Sequence, residues 1–570
     1  MRFSRLASTT SRDKPRAVHS RGHELLQRGG FIRPLSQGLY TILPLGMRVL
    51  HKLSNLVRSE MEALDGQEVQ IPLVNPMELW QRSGRAELFG DEMISFRDRS
   101  GKRLVLAPTH EEAAVDLVKS MVHSYRDLPI FLYQVQTKYR NEMKPRGGLL
   151  RTRELIMKDA YSFHRSFTEL NNFLPRVFNA YQRIFASCNV PCITAEAANG
   201  VMMGERSFEF VMPFEAGDDV VVTCGGCGYT ANREVAVGTI ESRPEPPLPV
   251  ERVETGAASS MRELAAVLGV PLRRLGKSMA YTAGDTLILA IVRGDQEVSA
   301  EKLAHAVDAP VVSVANREQL ELIGLDPSAI GPVDLPLDLL GLDVSVKLIV
   351  DPVVALTPNL TFGSNESGYR LKNVNFLRDF DGDKVVDIAR VVPGADCVRC
   401  GTPLVEQRVI ELGHIFRIGG YYSRKLRLTL SDSTKRTFHP YLGAYGIGIS
   451  RLLAAVAEAN NDKRGLAWPA HLAPFYVFLM GIGRSPHVKR ILEEIHDDLG
   501  DVALLDDRGV SISTKFRDAD LIGVPFRIIV STLTVDTGSV ELLARGSSKV
   551  RKLHLSEVRV ELDRMTGGFV

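Results

Sequence analysis

No apolar run in this 570-residue chain approaches the roughly 18–20 residues that cross a bilayer, which excludes a helical membrane span. Net charge is nearly absent as well, since 70 Lys and Arg against 68 Asp and Glu leave a formal +2. That balance neither requires nor excludes RNA, because local basic surface rather than total charge decides such binding. Cysteine is scarce, six in all, too few for a chain stapled by disulfides. Acids are scarce in the first 36 residues, where only Asp13 and Glu24 accompany many Arg and Ser, a composition that can mark a transit peptide.

What is present is ordinary for a soluble globular protein: 44% apolar and 24% charged residues, enough chain for three or four domains. Val49, Leu50, Leu53, Leu56, Val57 and Met61 share one face at helical spacing before a break at Asp65-Gly66. Strand-like and helical patches then alternate to about Phe210, as an antiparallel sheet flanked by helices would. The texture changes between Cys224 and Cys400, where Pro244–Pro249 read as a hinge and Thr286–Val292 as a strand of a separate insertion. After Pro469, strands at 475–480, 502–505 and 527–530 alternate with a helical stretch at 488–499, predicting an α/β module with a mainly parallel sheet.

Chemistry concentrates in Tyr139-Arg-Asn-Glu142, in Arg151-Thr-Arg-Glu-Leu-Ile-Met-Lys-Asp159, and in Gly446-Ile-Gly-Ile-Ser-Arg451. The first two read as a hairpin with Arg140 and Glu142 on one arm and Arg151 on the other. The third reads as a glycine-bent strand entering a helix with Arg451 at its start. Guanidiniums converging from separate segments suit a triphosphate, because each is a permanent cation with a planar donor fork.

These segments resemble motifs 2 and 3 of class II aminoacyl-tRNA synthetases, and Gly66-Gln-Glu-Val-Gln-Ile-Pro72 resembles motif 1, with Pro72 ending a strand. The wording is closest to the bacterial prolyl-tRNA synthetase family, in Gly38–Pro44, Pro108-Thr-His-Glu-Glu112, Lys158–Phe163 and Gly413-His-Ile-Phe416. Arg28–Arg33 resembles that family's N-terminal helix and turn, so the first residues are expected to belong to the folded enzyme. The resemblance implies an α+β multidomain fold: a class II antiparallel-sheet catalytic core (1–223 and 408–472), an inserted α/β editing domain (224–407), and a C-terminal α/β anticodon-binding domain (473–570). It implies a cytoplasmic homodimer, paired through motif 1, that uses L-proline, ATP with Mg²⁺, and tRNA(Pro).

By the same resemblance Arg140 clamps the α-phosphate and also belongs to the proline-binding set. Arg451 and Arg151 hold the far phosphates or the adenine edge, and Glu142 meets the adenine amino group or a magnesium ion. Proline presents a secondary ammonium with two donors, for which a hydroxyl and a carboxylate two residues apart, Thr109 and Glu111, suffice on a strand or extended loop. His414 is a candidate for the pocket wall. In the insertion, Lys277, Gly331–Pro336 and Asp351 match a deacylase that hydrolyses mischarged alanyl-tRNA(Pro). A proline pocket cannot sterically exclude alanine, and a missing methylene gives only roughly 10–200-fold discrimination. Departures from the family pattern are Arg370 where a histidine is usual, Phe208, Ala444 and Leu155; Arg370 would add a second cation to the editing pocket.

Cys224-Gly-Gly-Cys227 and Cys397-Val-Arg-Cys400 form two knuckles whose spacing matches tetrahedral structural zinc, the alternative being reduced thiols. Cys188 and Cys192 read as buried thiols. Arg508, Lys515, Arg517 and the run Arg545–Lys552 are the expected anticodon cations. Two other readings compete: a synthetase-like regulator, which loss of the motif arginines would favour, and a related class II enzyme such as a threonyl synthetase, whose zinc ligands would lie within the core.

Overall fold

A computed structural model describes residues 1–566 apart from 17, 19, 240–243, 257, 259, 322, 336–344, 393 and 484; Pro336 lies outside the described residues. The chain divides into two compact units. Met1–Ile193, Phe210–Ala216 and Ile410–Val570 form the first, and Thr194–Glu209 with Gly217–Val409 form the second. The second holds the whole of the expected 224–407 insertion together with 194–209, 217–223 and 408–409. The strand Asp219–Cys224 pairs with the start of Leu404–Gly419, from Asp219↔Val409 to Cys224↔Leu404, so strand pairing carries it into this unit.

The first unit holds α1 (Arg21–Arg28), α2 (Pro44–Glu62), β1 (Ile130–Tyr139), β2 (Glu154–His164), α3 (Phe167–Ser187), β3 (Leu404–Gly419, of which Ile410 onward belongs here), β4 (Tyr441–Gly448) and α4 (Ile449–Ala459). Antiparallel pairing runs β3–β4–β2–β1, with His414↔Gly446, Gly446↔Asp159 and Gln134↔Asp159 in register. Helix α2 starts with Pro44 in its first turn, where the missing N–H costs nothing. Its 3.6 period buries Val49, Leu50, Leu53, Val57 and Met61, each worth ~1.5–3 kcal/mol, while Leu56 stays half-buried at the rim. The chain then turns through Asp65 at φ 64°. Helices α2, α3 and α4 close over the sheet through Leu53, Tyr181, Ile184, Leu452 and Val456.

The N-terminal residues are packed into this unit. Phe3 sits edge-on to Phe478 at 6.0 Å, Arg508 lies 3.5 Å over its ring, and Ser4 bonds Asp507 through backbone and hydroxyl at 2.9 and 2.6 Å. Gly22 lies against α4, where an added Cβ would come within 2.7 Å of the Glu458 nitrogen.

Motif 1 is a shorter strand than expected. Only Gln67–Glu68 pairs with β1, and the strand ends four positions before Pro72. Beyond Val69 the backbone leaves the ladder, and side chains take over: Gln134 Oε1 accepts from the Ile71 N–H at 2.9 Å and Gln136 Nε2 donates to the Ile71 carbonyl at 3.2 Å.

At the C-terminal end, Val477–Ile482 pairs in parallel with Ala503–Asp506 and Phe526–Ser531, and Ser539–Ala544 and Val550–His554 extend the sheet antiparallel. The sheet is thus mixed rather than mainly parallel. Arg48 and Lys52 of α2 donate to the Pro474 and Ala473 carbonyls at 2.7 and 2.6 Å, and this module belongs to one unit with α1–α4 and β1–β4.

In the second unit, Gly276–Ala283 and Thr286–Arg293 form a hairpin, and Ser345–Val350 joins Thr286–Arg293 in parallel. Leu289, Ile291, Val350 and Phe362 fill its core. Among the described residues no helix is long and apolar enough to cross a membrane.

Candidate active site

Arg140 and Glu142 lie in the connection between β1 and β2 rather than on a strand arm, because pairing stops at Tyr139↔Glu154. The Arg140 N–H still donates to the Arg153 carbonyl at 2.8 Å, and the Arg153 N–H to that of Gly38 at 3.0 Å, so the loop is fixed from both sides. Gly38 has φ +76°, and a Cβ there would meet Pro145 Cβ at 2.6 Å. Arg151 Nε donates to Glu142 Oε2 at 2.8 Å, and the Lys144 amide to Glu142 Oε1 at 3.0 Å. Burial alone would raise the Glu142 carboxyl, but Arg151, the Lys144 amide and Arg451 together hold it below its ordinary value.

Arg451, the third residue of α4, donates from Nη1 to the Glu411 carbonyl at 2.8 Å and to Glu411 Oε2 at 3.2 Å. Glu411 Oε1 meets His414 Nδ1 at 3.2 Å, and the His414 ring stacks 3.8 Å from Phe416. Burial opposes the charge on Glu411, yet His414, Arg451 and Arg140 keep its carboxyl well below the usual carboxylate range.

Arg140 is different. Its Nε donates to the Pro108 carbonyl at 3.4 Å, and among the described residues no carboxylate lies within ion-pair distance. Burial and then the charge of Arg451 lower its pKa, against weaker support from Glu411, Glu111 and Glu92. Arg140 thus lacks a direct ion-pair partner among the described residues and feels the charge of a second guanidinium, a site that an anion would relieve.

Thr109 Oγ1 donates to Glu111 Oε2 at 2.6 Å, so the two side chains do converge. They do so at a helix start rather than along an extended loop, since Glu111 is the first residue of the helix Glu111–Met121. Arg85, fully buried, lies 3.1 Å from both Glu111 and Glu112, and Ser83 donates to Glu112 at 2.7 Å. Burial works against the charge of Arg85, but Glu112 and Glu111 hold its pKa above the usual guanidinium value. Sequence reasoning missed Arg85 and Glu411. For Glu411 the available signal was a charge inside an otherwise apolar strand; the polar stretch around Arg85 offers none.

Lys277 and Asp351 belong to the second unit. Lys277 Nζ bonds both Glu297 oxygens at 2.9 Å. Asp351 caps a helix: Oδ1 accepts from the Val353 amide at 3.0 Å, and Oδ2 from those of Ile388 and Ala389 at 3.1 and 3.2 Å. Arg370, expected as an added cation, points its guanidinium at backbone oxygens. It is buried, and its guanidinium donates to the carbonyls of Tyr369 and Ser328 at 2.8 and 3.0 Å, bracing the backbone. The four knuckle sulfurs lie within 4.8 Å of one another, with Cys224–Cys400 at 3.4 Å and Cys227–Cys397 at 3.7 Å. Tetrahedral zinc with Zn–S ≈ 2.3 Å needs sulfurs about 3.8 Å apart, so the donor set fits. Burial pushes the thiols of Cys188 and Cys192 up to about 12.

Three of the expected anticodon cations are structural. Arg508 bridges Asp506 and Asp518 at 2.7 and 2.8 Å, Lys515 donates to the Asp506 carbonyl at 2.8 Å, and Arg545 pairs with Asp462 at 2.9 Å. Arg517, Lys549 and Lys552 are exposed.

The family model described as tRNA synthetase class II core domain (G, H, P, S and T) matches residues 94–460, and an anticodon binding domain matches 477–564. The proline–tRNA ligase of Dehalococcoides mccartyi is 36% identical over 563 residues, covering 98% of each chain. That of Thermotoga neapolitana is 40% identical over 562 residues, covering 97% of this chain and 96% of the relative. Among solved structures, Giardia lamblia prolyl-tRNA synthetase in complex with prolyl-adenylate matches 95% of this chain and 78% of its own, with a TM-score of 0.57 and 15% identity. The Cryptosporidium parvum enzyme complexed with L-proline and AMP matches 96% and 75%, with a TM-score of 0.56 and 12% identity, a likeness of fold. With these relatives aligned end to end, the chain belongs to the proline–tRNA ligase family of class II aminoacyl-tRNA synthetases.

Proposed function

We propose that this protein activates L-proline with ATP and transfers it to the 3′ end of tRNA(Pro), and that Arg140 holds the α-phosphate during activation. The observation that carries the reading is the half-buried guanidinium of Arg140, which has no direct ion-pair partner among the described residues and feels the charge of Arg451. In the first step a proline carboxylate oxygen bonds to the α-phosphorus and the bond to the bridging oxygen breaks, releasing pyrophosphate. Arg140 neutralises charge that gathers on the non-bridging oxygens, an effect worth several kcal/mol in a dehydrated site. Arg451 and Arg151 serve the far phosphates or the adenine edge, and Thr109 and Glu111 accept from the proline ammonium. Glu142 and Glu411 are the carboxylates that would hold Mg²⁺, which when bound offsets charge on the leaving pyrophosphate. His414, stacked on Phe416, forms pocket wall. In the second step a ribose hydroxyl of the terminal adenosine attacks the carbonyl carbon and AMP leaves.

Arg140→Ala is expected to cost on the order of 3 kcal/mol or more in proline-dependent pyrophosphate exchange while leaving the thermal midpoint intact. Exchange within about tenfold of the parent would contradict the assignment.

The finer readings stand on separate observations. Residues 1–223 and 408–472 serve synthesis, 224–407 editing and 473–570 the anticodon. The Cys224, Cys227, Cys397 and Cys400 set would hold a structural zinc ion, closed to substrate because all four positions are protein sulfur. Lys277, with Asp351 fixing the neighbouring backbone, would serve hydrolysis of alanyl-tRNA(Pro). Lys277→Ala should abolish that hydrolysis and spare exchange, and unchanged hydrolysis would remove the assignment. The subunits would pair through α2 and Gln67–Glu68 into a cytoplasmic homodimer; a fully active monomer in sedimentation would exclude it.

A further inference from the structure

His110, between the two candidate ammonium ligands, is fully buried and bonded on both sides of its ring. Its Nε2 lies 2.9 Å from the Pro72 carbonyl oxygen. A carbonyl only accepts, so Nε2 carries the proton and Nδ1 is left as an acceptor. Lys138 Nζ meets that Nδ1 at 2.5 Å and Asp159 Oδ1 at 2.8 Å. Asp159 Oδ2 accepts from Tyr161 Oη at 2.6 Å and Gln134 Nε2 at 2.8 Å, and Tyr161 Oη in turn accepts from the His110 N–H at 3.1 Å. Burial, and then the charge of Lys138, lower the pKa of His110 to about 4, so the ring is neutral near pH 7.

Every bond in this set ends on one of three segments: Ile71–Pro72 after motif 1, the Thr109–Glu111 turn, and the β1–β2 ladder that leads into Arg140. Gln134 and Gln136 hold the Ile71 backbone, His110 reads the Pro72 carbonyl, and Tyr161 fixes the amide of His110. A shift of Pro72 would therefore move His110, the residue that joins Thr109 to Glu111 in the chain. Such small misplacements are costly when the ligand needs two acceptors of fixed geometry.

We propose that His110 is a positioning residue for proline: it sets the Thr109–Glu111 pair by referencing it to the Pro72 carbonyl, with Lys138, itself paired with Asp159, keeping the ring in its Nε2–H tautomer and Tyr161 holding the His110 backbone amide. This rests on the reading that Thr109 and Glu111 accept from the substrate ammonium. The site makes proline affinity, and not ATP affinity, depend on where the motif 1 segment ends.

The test is proline-dependent pyrophosphate exchange by the full chain in three variants, with KM measured separately for proline and ATP. Asn places its amide near the Nδ1 position and falls short of Pro72, whereas Gln places its amide near Nε2. His110→Asn is expected to raise the KM for proline about tenfold or more, with that for ATP within about twofold. His110→Gln, which keeps the donor to Pro72, should fall between the parent and His110→Asn. Tyr161→Phe, a substitution that removes one hydroxyl and serves if His110→Asn does not fold, should raise the proline KM several-fold and spare ATP. A proline KM within about twofold of the parent in His110→Asn, or in Tyr161→Phe where that variant stands in, would overturn the proposal, as would parallel increases for both substrates. No exchange with proline in the parent would instead overturn the functional reading, and this proposal with it.

Discussion

Arg85 and Lys138 are buried cations, and each is answered by a buried carboxylate: Glu111 and Glu112 for the first, Asp159 for the second. Removing one partner from such a pair costs ~3–5 kcal/mol, so these residues fix the ground on which Thr109, Glu111 and Arg140 stand. Two buried histidines give the protein a measurable acid limit. Burial lowers the pKa values of His110 and His164 from 6.5 to about 4. Between those values the unfolded chain binds protons that the native state refuses, so stability falls as pH drops from about 6.5 to 4 and is constant above that window with respect to these groups. Urea unfolding should show a loss on the order of 2–3 kcal/mol per histidine across the window, and a flatter slope in His164→Gln. An unchanged slope in that variant would show that His164 does not titrate this way. At this scale the sequence exposed the residues of the motifs but not their supports. Arg85 and Glu111 are 26 positions apart and Arg451 and Glu411 are 40, separations at which no local pattern links partners.

Among the elements, α2 was the most legible, because its apolar face repeats at helical spacing and its end is marked by Asp65-Gly66. Motif 1 was the least. Val69 to Pro72 alternate as a strand would, yet Gln134 and Gln136 replace backbone partners with side chains, a substitution that a single segment does not reveal. Arg370 also escaped the sequence, which marks a cation but not whether it faces solvent or carbonyl oxygens. The two knuckles were legible from spacing alone. Their sulfurs bring the end of Asp219–Cys224 together with Asp396-Cys397, so a metal ion bound there would add folding energy to the second unit. Metal analysis should find one zinc per chain, and a thiol-competing chelator should lower the thermal midpoint of this unit while sparing pyrophosphate exchange. Metal-free protein with an unchanged midpoint would count against the site.

At the scale of the whole chain, residues 473–570 share a core with the catalytic elements through Phe478, Met480 and Leu504, and Phe3 packs against Phe478. Deleting that module would strip apolar surface bare, so its role in tRNA binding is better tested by charge reversal on its exposed face. Lys549→Glu with Lys552→Glu should raise the KM for tRNA(Pro), most at low salt, and leave exchange unchanged. Unaltered charging would move the tRNA contact elsewhere. Activation of proline at this site is tested by pyrophosphate exchange with purified protein, run against each of the twenty amino acids. Exchange with proline, a much weaker signal with alanine and none with threonine are expected; exchange driven best by another amino acid, or by none, would overturn the assignment.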